Sequence, residues 1–228
     1  VTALCASRCI DHLAILSVQD REEGKDDSPQ LLAVRSHSVF ALGNAFALAN
    51  RAESEECVRV ILMCVSALVE ANGVYLEPVL QAIAEQLPSL WERAGDSVPI
   101  HSCLLSVLNH LIMKMGYSTV ENSHVQAVLF PLLDYCTDIN VVNRAETLLE
   151  DGLRLWLVTL LSSRVATMGP RLTSMLPRLE QILRSGLEPH MSLKVLQFYA
   201  ILIGKQVVEP LGDFLRELLV KMTSSVHT

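Results

Sequence analysis

The feature that most constrains this chain is a recurrence. Apolar residues return every three to four positions through nearly all of the sequence, the mark of amphipathic helices. No sustained apolar–polar alternation appears, and no Asn-Gly or Asp-Gly hairpin joins two alternating runs, so strand signals are nearly absent. The helical stretches come in pairs. First helices start near residues 54, 99, 144 and 189, and their partners near 75, 122, 170 and 208. The dipeptides Leu87-Pro88, Phe130-Pro131 and Leu176-Pro177 fall 43 and 46 residues apart, each inside the second helix of a pair. The full reading gives helices at about 1–16, 31–50, 54–71, 75–93, 99–115, 122–136, 144–162, 170–185, 189–204 and 208–223.

Helix pairs recurring at roughly 40–47 residues are the signature of HEAT or armadillo repeats. The expected fold is therefore all-α: an α-solenoid of about five antiparallel helix pairs, because short loops join partners side by side. Residues 1–228 read as one array. The chain starts at Val1 without a methionine, and so reads as a fragment of a longer solenoid. The breaks have local causes. Gly73, Gly116 and Gly186 suit the left-handed position after a helix C-terminus. Ser54, followed by Glu55 and Glu56, suits a helix start. Pro78, Pro170, Pro189 and Pro210 are expected in first turns or just before them. Asp20 to Pro29, DREEGKDDSP, has no apolar anchor and reads as an acidic exposed loop, 20–29. A metal or partner site built from Asp26 and Asp27 is the alternative, disfavoured because adjacent acids in a loop are poorly preorganised.

The helix at 144–162 contains LLEDGLRLWLVTLLSS, residues 148–163. Leu149, Leu153, Trp156 and Leu160 form one stripe at 3.6 spacing and are the expected structural core. A helix apolar over most of its circumference needs cover on several sides, which stacked hairpins supply. Gly152 costs about 1 kcal/mol relative to Ala mid-helix, and is tolerable where a neighbouring helix comes close. Glu150 and Asp151 diverge by about 100°, so they form no facing acid pair. With Glu146 they are expected to favour the positive end of the helix dipole.

Composition removes several function classes. The formal charge is −7, which disfavours a nucleic-acid backbone and suits a basic partner. The six cysteines, Cys5, Cys9, Cys57, Cys64, Cys103 and Cys136, include no CxxC pair and read as reduced, mostly buried thiols. No segment reads as membrane-spanning: the longest uncharged stretch near the middle, Ser97 to Met113, holds Pro99, His101, Asn109 and His110. No basic region followed by an apolar run marks a signal peptide. Cys5, Cys9 and His12 share a helical face, but structural zinc wants a fourth ligand. His101 and His110 flank a helix that also carries Cys103, yet a Cys–His nucleophile needs an orienting group and an oxyanion hole. No metal, cofactor or catalytic residue is expected. Glu77, Gln81 and Glu85 fall at i, i+4, i+8, as do Glu209, Asp213 and Glu217. Each set is either a solvated face or an acidic stripe meeting a basic partner along a curved inner surface. Arg171, Arg178 and Arg184 make a basic interval between the two stripes.

Four segments carry a resemblance: LEPVLQAIAEQLPSLWERA (76–94), LLSVLNHLIMKMG (104–116), FPLLDYCTDIN (130–140) and above all LLEDGLRLWLVTLLSS (148–163). In order and spacing they resemble the central HEAT-repeat region of the importin-β, or karyopherin-β, family. The resemblance covers 76–163 best, and the acidic segment 20–29 is longer than that region of the family. It implies a segment of a non-enzymatic nuclear transport receptor for protein import into the nucleus, without cofactor, moving between cytoplasm and nucleus. The partners it implies are protein cargo, basic by charge; Ran-GTP, bound through N-terminal repeats outside this chain; and phenylalanine–glycine nucleoporins, held between outer helices. It implies no nucleic acid and no membrane, and assigns no Ran-binding or cargo-binding residue here. The alternatives are a HEAT scaffold outside transport and, less favoured, an all-α enzyme, since an open stack of hairpins offers few closed pockets.

Overall fold

The computed structural model describes residues 29–203 together with residues 212, 213, 216 and 217. The expected helix at 1–16, residues 20–28 of the acidic loop, Cys5, Cys9, His12, Asp26, Asp27, Glu209 and Pro210 lie outside the described residues, and Pro29, the last residue of that loop, opens a helix. Among the described residues there are helices and no strand. The chain divides into two compact units, Val1–Leu132 and Leu133–Thr228.

In the first unit α1 (Pro29–Arg51) and α2 (Glu55–Asn72) form a hairpin, closed by three residues, too few for anything but an antiparallel return. Leu42, Phe46 and Ala49 of α1 are buried, as are Val58, Leu62, Val65 and Val69 of α2, the spacing of one helical face in each. The second helix expected at 75–93 is instead a 3₁₀ segment, Gly73–Val79, followed by α3 (Leu80–Ala84) and α4 (Leu87–Ala94). Proline explains both breaks. Pro78 has no N–H to give to residue 74. Pro88 has none for Ala84, and its ring crowds that carbonyl, so the helix stops there and restarts with Pro88 in its first turn. Next come α5 (Val98–Met115), the short α6 (Tyr117–Val120) and α7 (Ser123–Cys136). The Asn122 side chain caps α7, accepting from the N–H of His124 at 3.0 Å and of Val125 at 3.3 Å. Helix α5 is long and apolar enough to cross a membrane by length and composition alone, a test that buried core helices also pass. In this fold it packs against α2 and buries Leu104, Leu108, Leu111 and Ile112.

The repeat appears as a register. Glu55 meets Ser97, the Arg59 carbonyl meets Cys103, and Ser66 meets Ser106 and His110, at sequence separations of 42, 44, 40 and 44. A near-constant offset, as opposed to a constant sum, means that α2 and α5 run parallel and side by side. Gly73 and Gly116 end the two helices at equivalent positions with φ of 54° and 63°, where a side chain is strained.

The second unit repeats the plan with α8 (Val142–Leu161), α9 (Val165–Ser174), α10 (Leu176–Ser185) and α11 (Pro189–Ile203). The helix expected at 170–185 starts at 165 and is split at Met175, because Pro177 has no N–H for Thr173. Pro170 is accordingly inside α9, not in its first turn. Helices α8 and α11 pack together. Leu149, Leu153, Trp156 and Leu160 are buried, Trp156 completely. Its Nε1–H donates to the Tyr199 hydroxyl at 2.9 Å, and that hydroxyl donates to the Leu172 carbonyl at 3.0 Å. The rings meet edge to face with centroids 6.1 Å apart, a favoured aromatic geometry. Burial pushes the Tyr199 hydroxyl's pKa up. The Trp156–Tyr199 separation is 43, the register of the first unit. Gly152 marks a close approach: a Cβ there would lie 2.9 Å from the Cys136 Cβ and 3.4 Å from the Thr137 Cγ2. Glu150 and Asp151 do not sit at the start of their helix, since α8 begins at Val142 and has no acid in its first turn. They face Arg154 instead, at 3.0 and 3.9 Å.

Candidate partner-binding surfaces

The first acidic set lies on the second-helix side of unit 1. Glu77, Gln81 and Glu85 are all exposed, but Glu77 belongs to the 3₁₀ segment and Gln81 to α3. The change of helix type breaks the even i, i+4 ladder. Gln81 is a link: its Nε2 donates to Glu85 at 2.9 Å, and its Oε1 accepts from Asn122 Nδ2 at 2.8 Å. Glu77 and Glu85 remain as water-facing carboxylates.

Of the second set, Glu209 lies outside the described residues. Asp213 pairs with Arg216 at 3.5 Å. Glu217 pairs with Arg184 at 2.8 Å, and Arg184 also holds Glu180 at 2.8 Å. These hydrogen bonds, Glu217's first, hold the Arg184 guanidinium's pKa above its usual range. Arg178 pairs with Asp138 at 3.0 Å, both side chains about a quarter exposed. Burial alone would raise the Asp138 pKa, but the N–H donors of Asn140 and the Arg178 guanidinium outweigh it and leave it lowered. The basic interval is therefore largely neutralised by acids of its own unit.

The Cys103 and His110 side chains sit seven residues apart on α5, about 10 Å along the axis, and are held by different groups. The Cys103 thiol meets the Arg59 carbonyl at 3.8 Å, and burial pushes its pKa up, away from thiolate chemistry. His101 is fully buried and lies against the Trp91 ring, centroids 4.8 Å apart. His110 joins a polar network that the sequence reading missed: its Nδ1 is 2.8 Å from Ser66 Oγ, which is 2.7 Å from Ser106 Oγ, and its Nε2 is 3.9 Å from Glu70. Burial lowers the His110 pKa, Glu70 raises it, and Lys114 lowers it further. Hydroxyl, imidazole and carboxylate are the ingredients of a nucleophilic triad. Ser66 is nearly buried in mid-helix, however, where neighbouring backbone N–H groups serve the helix and none is left as an oxyanion donor. The network ties α2 to α5. The signal that could have found it is the polar triplet 66, 106, 110 falling one repeat apart in otherwise apolar stripes.

Beside this network an open groove of about 300 Å³ runs between α2 and α5, lined by Arg59, Met63, Pro99, Cys103 and the three serines Ser66, Ser102 and Ser106. Its walls are mainly aliphatic and sulfur, and Met63 is 57% exposed. Its chemistry suits an apolar side chain laid between two parallel helices.

Comparison with known proteins agrees with this architecture. Residues 102–228 match the family described as importin-11-like, TPR repeats. Importin-11 of Mus musculus is 30% identical over 107 residues, which cover 47% of this chain and 11% of that protein. Importin-11 of Homo sapiens is 29% identical over 107 residues, with the same coverage. The chain thus spans about a tenth of the length of these curated relatives. No solved structure matches it. The register of 40–44 residues seen here is wider than the 34 of a standard TPR unit and falls in the HEAT range. With more than half of its length matched, and with helices stacked at one repeat's spacing, the chain belongs to the importin-11-like family of helical-repeat proteins.

Proposed function

We propose that this chain is a segment of a nuclear transport receptor that carries protein cargo into the nucleus and shuttles between cytoplasm and nucleus. The observation that carries the reading is the family match over residues 102–228. The parallel stacking of α2 on α5 and the packing of α8 against α11 support it, because stacked hairpins present long binding faces. Cargo release is driven by Ran-GTP, bound by repeats of the longer protein outside this chain. The exposed carboxylates Glu77 and Glu85, with Glu209, Asp213 and Glu217, are the partner-facing groups for basic cargo. Phenylalanine–glycine nucleoporins dock in the groove between α2 and α5, where Met63, Pro99 and Cys103 meet the ring. No covalent chemistry is required of the chain. The test is release of bound cargo from the full-length protein. Ran-GTP is expected to free it and Ran-GDP is not; equal release by both nucleotides, or by neither, removes the transport reading and leaves a scaffold.

A further inference from the structure

Ser66, Ser106 and His110 make a chain of three polar groups in which direction matters. Ser66 Oγ lies 2.7 Å from Ser106 Oγ and 2.8 Å from His110 Nδ1, and among the described residues these are its hydrogen-bond partners. A hydroxyl has one hydrogen to give, so the bond on its other side must be supplied by the neighbour. The ring decides which side that is. Its Nε2 faces Glu70 Oε2 at 3.9 Å, where a lone pair is repelled by the carboxylate and an N–H is attracted. The neutral ring therefore carries its hydrogen on Nε2, and Nδ1 accepts from Ser66. With the Ser66 hydrogen committed to the ring, the contact to Ser106 is made by the Ser106 O–H. Protonation puts a second hydrogen on Nδ1, and both ring nitrogens become donors. Nδ1 now donates to Ser66, the Ser66 hydrogen turns to Ser106, and the Ser106 hydrogen is released. Both serines line the groove between α2 and α5. Ser66 is 6% exposed, whereas Ser106 is half-buried, so Ser106 is the one that meets an occupant.

We propose that these three residues are a reversible relay that sets the hydrogen-bond polarity of the groove: with the ring neutral Ser106 offers an occupant only lone pairs, and with the ring protonated it offers an O–H. The neutral groove thus selects a hydrogen-bond donor, an amide N–H or a hydroxyl, carried beside the apolar group that Met63 and Pro99 hold. The charged groups that act on the ring are Glu70 of α2 and Lys114 of its own helix; among the described residues the 3₁₀ segment, α4 and α6, which also pack on α5, add none that shifts it. Burial and Lys114 together outweigh Glu70, which places the reversal on the acid side of the ordinary histidine range. The relay does not depend on the transport reading.

The test uses the whole chain with nitrogen-15 histidine, and two probes followed by fluorine NMR: 4-fluorophenol, which can donate, and 4-fluoroanisole, which can only accept. At pH 8 His110 is expected to show an unprotonated Nδ1, and the phenol to bind about three- to tenfold more tightly than the ether, the worth of one hydrogen bond. As acid titrates the ring, that preference is expected to fall in step with protonation of Nδ1. Ser106→Ala is expected to keep the tautomer and to bind the two probes alike throughout. A ring carrying its hydrogen on Nδ1 at pH 8, a phenol that does not bind there, or a preference unmoved by the titration or by Ser106→Ala overturns the relay.

Discussion

The two units share a register and differ in what fills it. In the first, α2 and α5 are joined across one repeat by small polar groups, Ser66 to Ser106 and His110 at 2.7 and 2.8 Å. In the second, α8 and α11 are joined at the same separation by an indole and a phenol. Their charge differs too. Residues 37–132 hold nine acids against four bases, whereas residues 133–203 are balanced at seven of each. The same stack thus tolerates wet or dry joints and acidic or neutral surfaces. What it requires is helices of similar length returning every 40–44 residues with apolar faces matched. The identity of the joint is free to set local stability, and the surface is free to choose partners.

If the dry joint is the stronger, Trp156→Ala should produce the largest loss. Truncation of a fully buried tryptophan costs about 3–5 kcal/mol, and here it also removes the N–H that the Tyr199 hydroxyl accepts. Urea unfolding is expected to show the second unit melting first, giving a biphasic curve; a monophasic curve with an unchanged midpoint would break the comparison. Tyr199→Phe isolates the polar part. It leaves Trp156 Nε1–H unpaired in the core, at about 1–3 kcal/mol, while the Leu172 carbonyl keeps the Met175 N–H and the ring packing is kept.

Gly152→Ala comes next. Helix propensity favours alanine by about 1 kcal/mol, but the new Cβ would sit 2.9 Å from the Cys136 Cβ. Overpacking of this kind costs about 1–3 kcal/mol, so net destabilisation of about 1–2 kcal/mol is expected. Cys136→Ala should not rescue it, since the clash is with the Cβ itself; Cys136→Gly should, in part. A stabilised Gly152→Ala would mean that α8 and the end of α7 are further apart than described.

Much of this was legible from residue spacing. The stripe Leu149, Leu153, Trp156, Leu160 follows from 3.6 periodicity, and a glycine inside so apolar a helix already implied a close neighbour. The prolines were read with less success. Pro88 and Pro177 break their helices while Pro131 does not, so the shared Leu/Phe-Pro dipeptide does not by itself tell a break from a continuous helix. The acidic stripes show a similar limit of spacing. Spacing counts carboxylates, but Arg184 reaches Glu217 across 33 residues, and no helical periodicity encodes that pairing. The Ser66–His110 network was hidden because its members belong to different repeats, visible only once the period is used to align them.

The wet joint is expected to give smaller effects. Ser66→Ala removes the shared partner of Ser106 and His110, costing about 1 kcal/mol, because water can reach part of the gap. His110 adds a pH signature of definite sign. Burial disfavours the imidazolium, Glu70, 3.9 Å from Nε2, favours it, and Lys114 disfavours it. The Glu70 side chain is 58% exposed against 23% for His110, so solvent screens the attraction while the ring keeps its burial penalty, and the folded pKa is lowered. The unfolded chain then takes up the proton first. The contribution of this group to stability is fully present above about pH 6.5, the ordinary histidine value, and is lost as pH falls from there through the lowered folded value. Urea unfolding of the chain and of His110→Gln at pH 8 and pH 5 measures it. The difference between the two should shift towards the variant at pH 5. A shift in the opposite direction would mean that Glu70 wins, and that the joint between α2 and α5 is an ion pair strengthened by acid.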